Sequence, residues 1–220
     1  GGSVLVDQNL FNIFIKDITT LNKLGFIPII VHGGGKRISN KLNGLGIKSE
    51  FIKGLRVTSK ETIEVVEQVL IEFNQEIVEA LKKQFCNSQA INSKENNVID
   101  VIKEDEKLGF VGTPTTIDKA IIDKIVDEKK VPVIAPLGLD ENNQTYNINA
   151  DTAAGSIAKK IEARRLIIMS DVEGVLDNKK KLIPEINSNS IKDLIDNETI
   201  TGGMIPKINN CLDVASNGVK

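Results

Sequence analysis

Three consecutive glycines at positions 33–35 stand between an apolar stretch and two cations. The β-branched residues at 29–31 predict a short buried strand, and the apolar residues after the glycines follow helical spacing. A strand, a glycine turn and a helix present bare backbone N–H groups at the positive end of a helix, which suits a phosphate or a carboxylate. Lys36 and Arg37 add positive charge, so this loop is predicted to bind an anion.

The glycine loop matches neither of the two best-known nucleotide-binding fingerprints. Ile30 stands where a Walker loop has its first glycine, and Arg37 stands where it has its serine or threonine. Ile38 replaces the third glycine of a dinucleotide fingerprint. A tight turn without a ligand is the alternative, but three glycines cost more backbone entropy than a turn requires, which favours close approach to a ligand.

Five further positions carry side chains suited to anionic ligands, and each has a plainer alternative. Arg56 lies between a glycine and a helix, where its guanidinium either binds a carboxylate or is simply exposed. Asn147 and Asn149 place amide groups at a strand end, where they either contact a ligand or are ordinary turn residues. Asp151 is either a site residue or the cap of the following helix. Lys207 follows a Gly-Gly turn near a helix start, where a lysine opposes the helix dipole, and this conflict indicates a bound anion.

The elements that would position these residues alternate between apolar strands and helices. Strands are predicted at 29–31, 98–102, 108–112, 131–135 and 166–169, with helices at 10–24, 36–46, 59–84, 117–129, 151–161, 190–195 and from 204 onward. This order predicts an α/β fold with an open, mainly parallel sheet between helices. Ligands of such sheets bind beyond the carboxyl ends of the strands, so the loops at 33–35, 147–151 and 170–174 should share one edge.

The helix predicted at 59–84 is long and carries a broad apolar stripe. Thr58 and Glu61 form a capping box at its start. The apolar residues fall close to a heptad spacing, which is typical of core packing and is also compatible with contact to a second copy of the helix. We therefore expect a homodimer through this helix. An interaction module assembled in the same way is an alternative function, but it leaves the clustered loops unexplained.

Composition excludes several classes of function. The chain has 220 residues and 24.0 kDa, and its 28 Lys and Arg against 30 Asp and Glu give no basic excess, so nucleic acid is not an expected partner. No apolar run approaches the ~20 residues of a membrane span, and no secretory signal opens the sequence. Cys86 and Cys211 lack metal-ligand spacing and fit a reducing, intracellular setting. With His32 the only histidine, triads and multi-histidine metal sites are excluded, and no protein metal ligand is predicted.

In combination, five motifs resemble the acetylglutamate kinases of the amino-acid kinase family. They are Val31-His32-Gly33-Gly34-Gly35, Gly54-Leu55-Arg56-Val57-Thr58, Asn147-Ile148-Asn149-Ala150-Asp151, Ser170-Asp171-Val172-Glu173-Gly174-Val175 and Gly202-Gly203-Met204-Ile205-Pro206-Lys207. The resemblance covers nearly the whole chain. The arginine loop, the double-asparagine motif and the Gly-Gly-Met turn separate it from aspartate, carbamate and uridylate kinases.

The resemblance implies that ATP with Mg2+ phosphorylates the side-chain carboxylate of N-acetyl-L-glutamate, the second step of arginine biosynthesis, with Mg2+ bound through the nucleotide phosphates. Residue by residue it implies substrate contacts from Gly34, Gly35, Arg56 and Asn147, nucleotide contacts from Gly2, Asp171, Val172, Gly174, Val175, Leu176, Thr201 and Met204, and catalytic roles for Lys207 and Asp151. A carboxylate nucleophile is already ionised at neutral pH, so no general base is needed.

The resemblance also sets expectations for organisation. It implies a lobe at 1–161 that binds the acetylated amino acid and forms the dimer, and a nucleotide-binding lobe at 162–220. The family's second catalytic lysine immediately precedes the glycine pair that is Gly1-Gly2 here, so we expect a fragment truncated at both ends. Hexamer formation, arginine feedback and a nitrogen-signalling protein partner occur in the family and stay open, as does the choice between bacterial cytoplasm and plastid stroma.

Two rival functions remain compatible with the motifs. The same fold serves as a non-catalytic, arginine-sensing domain in some acetylglutamate synthases, although a sensor has no need of both Lys207 and Asp151. The other rival is a kinase for a different N-blocked acidic amino acid, such as acetylaminoadipate.

Overall fold

A parallel sheet of three short strands lies at the centre of the computed structural model, which describes residues 7–170, 173–177, 179–200 and 204–219. In chain order the elements are α1 (Gln8–Lys23), β1 (Ile30–Val31), α2 (Gly35–Gly44), β2 (Phe51–Ile52), β3 (Leu55–Arg56), α3 (Lys60–Lys83), β4 (Ser88–Ile91), β5 (Ile99–Lys103), β6 (Gly112–Ile117), α4 (Lys119–Asp127), β7 (Val131–Ile134), β8 (Leu137–Leu139), β9 (Thr145–Asn147), α5 (Ala150–Lys160), α6 (Ser188–Asp196) and α7 (Met204–Ser216).

The parallel sheet has the order β1-β7-β4, so the glycine loop and the end of β4 lie at the same edge. Val31 and Ile91 both pair with Ile134, which aligns the carboxyl ends of the three strands. All four residues of β7 are buried, as expected for a central strand covered on both faces. A second, mixed sheet has the order β6-β5-β8-β9, and β2 and β3 form a separate hairpin. Just after β9, the Ile148 N–H donates to the Pro136 carbonyl oxygen just after β7 at 2.9 Å, which brings the end of β9 beside this region.

Helices cover both faces of the parallel sheet, which confirms the predicted fold class. On one face α1 and α3 pack their apolar residues, among them Phe11 and Phe73, against Val133. On the other face α4 and α5 contribute Ile122 and Ile157 to a core that includes Ile134. In the described part of the chain, no helix is both long and apolar enough to cross a membrane.

The apolar stripe of α3 is buried within the chain's own core. Val66, Leu70 and Ile77 are each at most 1% exposed, so the stripe that suggested self-association is already occupied. The predicted capping box is one residue out of place. Ser59 caps the helix by accepting a hydrogen bond from the Thr62 N–H at 3.2 Å, while the preceding threonine points elsewhere.

Two predicted strands are absent from the described structure. Residues 166–169 form no strand, and Ile167 is 72% exposed. Residues 108–112 do not return as a strand because Asp105 caps a 3-10 turn at Glu106–Leu108, and the strand that pairs with β5 is β6. Strands β2, β3, β4 and β8 were not predicted, whereas β9 ends at Asn147, where a strand end was predicted.

The glycine loop is packed directly against α3. A Cβ atom added at Gly34 would lie 2.6 Å from Leu70 Cδ2, and Leu70 is only 1% exposed and therefore cannot easily move away. A Cβ atom added at Gly35 would meet no atom within 4 Å. The two glycines thus have different roles: the first allows close packing of α2 on α3, and the second leaves open space above the start of α2.

We expect Gly34→Ala to lower the free energy of unfolding by ~1–3 kcal/mol, because the added methyl group overpacks the core at Leu70. Gly35→Ala is the matched control, since its methyl group meets open space at the first residue of a helix, and it should change the free energy of unfolding by less than ~1 kcal/mol. Urea unfolding monitored by circular dichroism measures both values. Equal stability of the two variants would contradict the packing role of Gly34.

Candidate active site

The start of α2 presents backbone N–H groups that no side chain caps. The N-cap residue is Gly34, which has no side chain to accept hydrogen bonds from these N–H groups. The space beside Gly35 is open. These features fit the predicted approach of an anion to the helix N-terminus. Arg37 does not take part in the way the sequence suggested. Its guanidinium forms a two-point ion pair with Glu76 of α3 at 2.6 and 3.0 Å and lies 3.9 Å from the centroid of the Phe73 ring.

His32 is buried beneath the glycine loop and is unsuited to act as a base. Its Nδ1 lies 3.2 Å from the Gly33 carbonyl oxygen, and its Nε2 lies 3.0 Å from Nδ2 of Asn74 on α3. A neutral ring protonated on Nδ1 satisfies both contacts. Burial is the main cause that lowers the pKa of His32 to about 4; the hydrogen bond to Gly33 opposes it and the charge of Arg37 adds to it. The ring therefore supports the loop as a neutral group.

Arg56 reaches from the β2–β3 hairpin to the glycine loop. Its Nη2 donates to the Gly35 carbonyl oxygen at 3.1 Å and to Ser39 Oγ at 2.9 Å, and its Nη1 donates to Ser49 Oγ at 2.5 Å. The guanidinium also lies 4.7 Å from the centroid of the Phe51 ring. Arg56 is only 7% exposed, and this burial lowers its pKa. The alternative of a freely exposed surface arginine is therefore wrong.

Asn147 is connected to Arg56 through Thr58. The hydroxyl of Thr58 donates to the Arg56 carbonyl oxygen at 2.8 Å and lies 3.4 Å from Asn147 Nδ2, which can donate to it. Thr58 itself is fixed by Phe110, whose N–H donates to the Thr58 carbonyl oxygen at 2.7 Å. Gly109 permits this approach, since a Cβ atom there would lie 2.3 Å from the same oxygen. The structure thus links three of the predicted substrate residues, Gly35, Arg56 and Asn147, by hydrogen bonds, with Gly34 adjoining them.

Asp151 and Lys207 meet between α5 and α7. Lys207 Nζ lies 2.6 Å from Asp151 Oδ2, and both side chains are partly buried. Asp151 is not the helix cap, because Asn149 accepts hydrogen bonds from the N–H groups of Asp151 and the next residue at 3.0 and 3.1 Å. Asn210 donates to the Asp151 carbonyl oxygen at 2.7 Å, and its side chain fills the space beside Gly155. The two catalytic candidates are therefore held together by a close helix–helix contact.

The predicted nucleotide residues are described only in part. Gly174, Val175 and Leu176 lead into a tight turn closed by a bridge between Leu176 and Leu182. Met204 begins α7, one turn before Lys207. Gly2, Asp171, Val172 and Thr201 lie outside the described residues.

Several residues that shape the site escaped sequence reasoning. Ser39 and Ser49 bind the guanidinium of Arg56, yet isolated serines in a helix and a loop give no signal of such a role. Glu67 of α3 accepts hydrogen bonds at 2.7 Å from both Ser93 and Thr145, which fixes the start of β9. Burial favours a raised pKa for the Glu67 carboxyl, but these two bonds and the contact with a nearby lysine outweigh it, so its pKa is lowered.

The arrangement favours binding and transfer of anionic groups. The N-terminus of α2 and the buried guanidinium of Arg56 are in contact at one strand edge. At the start of α5, Asp151 is paired with Lys207 of α7. Among the described residues there is no group of three His, Cys, Asp or Glu side chains able to hold a metal ion. Positive positioning groups of this kind stabilise a migrating phosphoryl group, whose charge is spread over its oxygens.

Comparison with known proteins gives a consistent result. The family model described as the amino acid kinase family matches residues 1–220. The acetylglutamate kinase of Pelagibacter ubique is 67% identical over 220 residues, and the match covers all of this chain and 76% of that protein.

Solved structures show the same fold. The structure of smu.665 from Streptococcus mutans superposes with a TM-score of 0.87 at 32% identity, covering 93% of this chain and 84% of that one. N-acetylglutamate synthase from Neisseria gonorrhoeae, solved with coenzyme A and N-acetyl-glutamate, superposes with a TM-score of 0.86 over 98% of this chain and 50% of its own, but at 19% identity it shows the fold alone. The family model, which matches from the first residue to the last, places this chain in the amino acid kinase family.

Proposed function

We propose that this chain transfers the γ-phosphoryl group of ATP to the side-chain carboxylate of N-acetyl-L-glutamate, the second step of arginine biosynthesis. The observation that carries the proposal is the ion pair of Lys207 with Asp151 at the start of α5, the helix that follows Asn147 and its link through Thr58 to the buried Arg56. The acetylglutamate kinase relative at 67% identity supports the same acceptor. The bacterial origin of that relative favours a bacterial cytoplasm over a plastid stroma as the setting.

At the substrate end, Arg56 binds the α-carboxylate of the acetylated amino acid. Its charge is buried among neutral acceptors, so a ligand carboxylate is the partner that the guanidinium fits best. Asn147 offers an amide for the polar groups of the same ligand. Gly34 and Gly35 bring the backbone N–H groups of α2 to the side-chain carboxylate and the incoming phosphoryl group, and the open space beside Gly35 leaves room for both.

In the transfer step, a side-chain carboxylate oxygen of the substrate attacks the γ-phosphorus atom. A bond from that oxygen to phosphorus forms, the bond to the bridging β–γ oxygen breaks, and ADP leaves. No proton has to be removed from the acceptor, which agrees with a His32 that is buried and neutral. Lys207 neutralises charge on the migrating group, and Asp151 holds the lysine in position until that group arrives.

At the nucleotide end, we assign the lobe at 162–220 to ATP and the lobe at 1–161 to the acetylated amino acid. Nucleotide contacts are assigned to Gly2, Asp171, Val172, Gly174, Val175, Leu176, Thr201 and Met204. Mg2+ would be held through the nucleotide phosphates and would supply further charge neutralisation there. The backbone N–H groups at the start of α2 and the ammonium group of Lys207 are the described groups that would meet phosphate oxygens.

The two rival functions differ from this proposal in specific ways. The synthase of Neisseria gonorrhoeae shares the fold, so the fold does not separate a kinase from an arginine-sensing domain. The ion pair of Lys207 and Asp151 favours the kinase, because a sensor has no phosphoryl group to neutralise. A kinase for acetylaminoadipate would use the same chemistry on a side chain longer by one methylene group.

A coupled assay of ADP release tests the function directly. We expect turnover with ATP and N-acetyl-L-glutamate, and much weaker turnover with glutamate, acetylaspartate or acetylaminoadipate, because the free amino group or the altered side-chain length displaces the reacting carboxylate. Because the relatives extend beyond the matched region, the assay uses the full-length protein. Preference for acetylaminoadipate, or binding of L-arginine without turnover, would contradict the proposal.

Replacing Lys207 tests its role in the transfer step. We expect Lys207→Ala to lower kcat by ~10²–10³-fold while changing KM for acetylglutamate only slightly, since the lysine acts on charge that develops during transfer. Lys159→Ala is the matched control, because Lys159 forms the other ion pair between α5 and α7, with Asp213. Unchanged kcat in the Lys207 variant would exclude the role.

We also propose that two copies associate through α3. Its apolar stripe is used inside the chain, so the contact would involve a groove between the second half of α3 and the edge strand β4, which Gln75, Lys82 and Gln89 help to line. A strand edge and a polar helix face are able to pair across a two-fold axis.

Light scattering should give twice the mass of one chain, and Lys82→Glu should weaken the dimer. A monomeric mass at micromolar concentration would contradict the proposed dimer. A hexamer would appear as a larger mass, and so would a complex with a nitrogen-signalling protein present in the sample.

A further inference from the structure

The guanidinium of Arg56 is held by three neutral acceptors from different parts of the chain. Ser39 lies on α2, one turn after Gly35, and both bind Nη2. Ser49 lies on the segment that leads into the β2–β3 hairpin and binds Nη1. The two terminal nitrogens are therefore fixed from two sides, which determines both the position and the plane of the guanidinium.

No carboxylate forms an ion pair with Arg56 among the described side chains. Arg37, by contrast, is paired with Glu76, so the chain does use an acid where it needs to neutralise an arginine. A serine hydroxyl accepts a hydrogen bond but carries no charge. The two serines can thus orient Arg56 while leaving its positive charge available to a ligand.

We infer that Ser39 and Ser49 are positioning residues that set the affinity for the substrate carboxylate by orienting the Arg56 guanidinium without neutralising it. The inference rests on the proposed function, because it takes Arg56 to bind the α-carboxylate of N-acetyl-L-glutamate. Gly35 and Ser39 accept from Nη2 and Ser49 accepts from Nη1, so a ligand carboxylate would approach the remaining N–H groups of Nη1 and Nε, and their direction is set by the plane of the guanidinium. A guanidinium that has lost one of its anchors samples other orientations, and each productive encounter then has to restore the correct one.

The test measures binding and catalysis separately in the full chain. We expect Ser39→Ala and Ser49→Ala each to raise the Kd and the KM for N-acetyl-L-glutamate by ~5- to 20-fold, with kcat and the KM for ATP changed less than about twofold. Ser39→Thr keeps the hydroxyl and should restore binding to within about twofold of the original chain. Isothermal titration with acetylglutamate gives Kd, and the coupled assay gives the kinetic constants.

Two controls separate orientation from general damage. Ser216→Ala removes a serine hydroxyl that donates to the Asp213 carbonyl oxygen at 2.8 Å on the exposed end of α7, away from Arg56, and should leave Kd unchanged. In an Arg56→Lys background, Ser39→Ala should have little further effect, because lysine has no planar fork for the hydroxyl to orient. Thermal unfolding identifies any variant that is simply unfolded, and Ser49→Ala then replaces Ser39→Ala as the deciding variant.

The possible failures are distinguishable. If the unchanged chain binds and phosphorylates acetylglutamate but Ser39→Ala and Ser49→Ala match Ser216→Ala in Kd, the positioning role is wrong and the proposed function stands. The same holds if Ser39→Thr binds as weakly as Ser39→Ala, or if the effects of Ser39→Ala and Arg56→Lys are additive. If the unchanged chain neither binds nor phosphorylates acetylglutamate, both the proposed function and this inference fail.

Discussion

A positive charge buried without a described counter-charge is the constraint on which the rest of this site depends. Desolvation of the Arg56 guanidinium is costly, and hydrogen bonds from neutral acceptors offset only part of that cost. Those acceptors must be accurately placed, so the start of α2 and the entry to the β2–β3 hairpin cannot move independently. The remaining electrostatic potential is available to a ligand carboxylate, and binding of that ligand would relieve the desolvation.

The second cation of the site is managed in the opposite way. Lys207 lies in the first turn of α7, where the helix dipole disfavours a positive charge, and the nearby carboxylate of Asp151 compensates for it. A lysine has a long flexible stem, so an ion pair also restricts its position. Because its ammonium group has three N–H donors, Lys207 can keep one bond to Asp151 while it binds a phosphoryl oxygen. Asp151 in turn is fixed through its backbone by Asn210.

Sequence reasoning succeeded where one local pattern determined the outcome. The β-branched run before the glycines predicted β1, and the spacing of apolar residues predicted α1 and α3 within a few residues at each end. It failed where the outcome depends on distant partners. Arg37 was predicted to help bind an anion, but it pairs with Glu76, which is 39 positions away and which no local pattern reveals. A strand of three residues such as β8 is too short to show a period of two.

The site residues show the same division. Arg56 and Lys207 were candidates because each is a cation near a glycine turn, and their roles toward ligands stay predictions. The residues that orient them are ordinary: Ser39, Ser49 and Asn210 occur at positions where serine and asparagine need no special reason. The sequence also could not decide whether Asn149 or Asp151 caps α5, because both suit an N-cap, and only the observed hydrogen bonds assign the cap to Asn149.

A fold shared with the N-acetylglutamate synthase of Neisseria gonorrhoeae at a TM-score of 0.86 means that the arrangement of strands and helices does not by itself decide the chemistry. What distinguishes functions within such a fold is which charges are left without compensation and where they lie. Among the described side chains, Arg56 is bound only by neutral acceptors, whereas Lys207 forms an ion pair with Asp151. A site that only bound an amino acid would need the first charge alone. Both are present here, and β9 with the start of α5 connects the segment that carries Asp151 to the one linked with Arg56, which is the physical reason to propose transfer of a phosphoryl group rather than binding only.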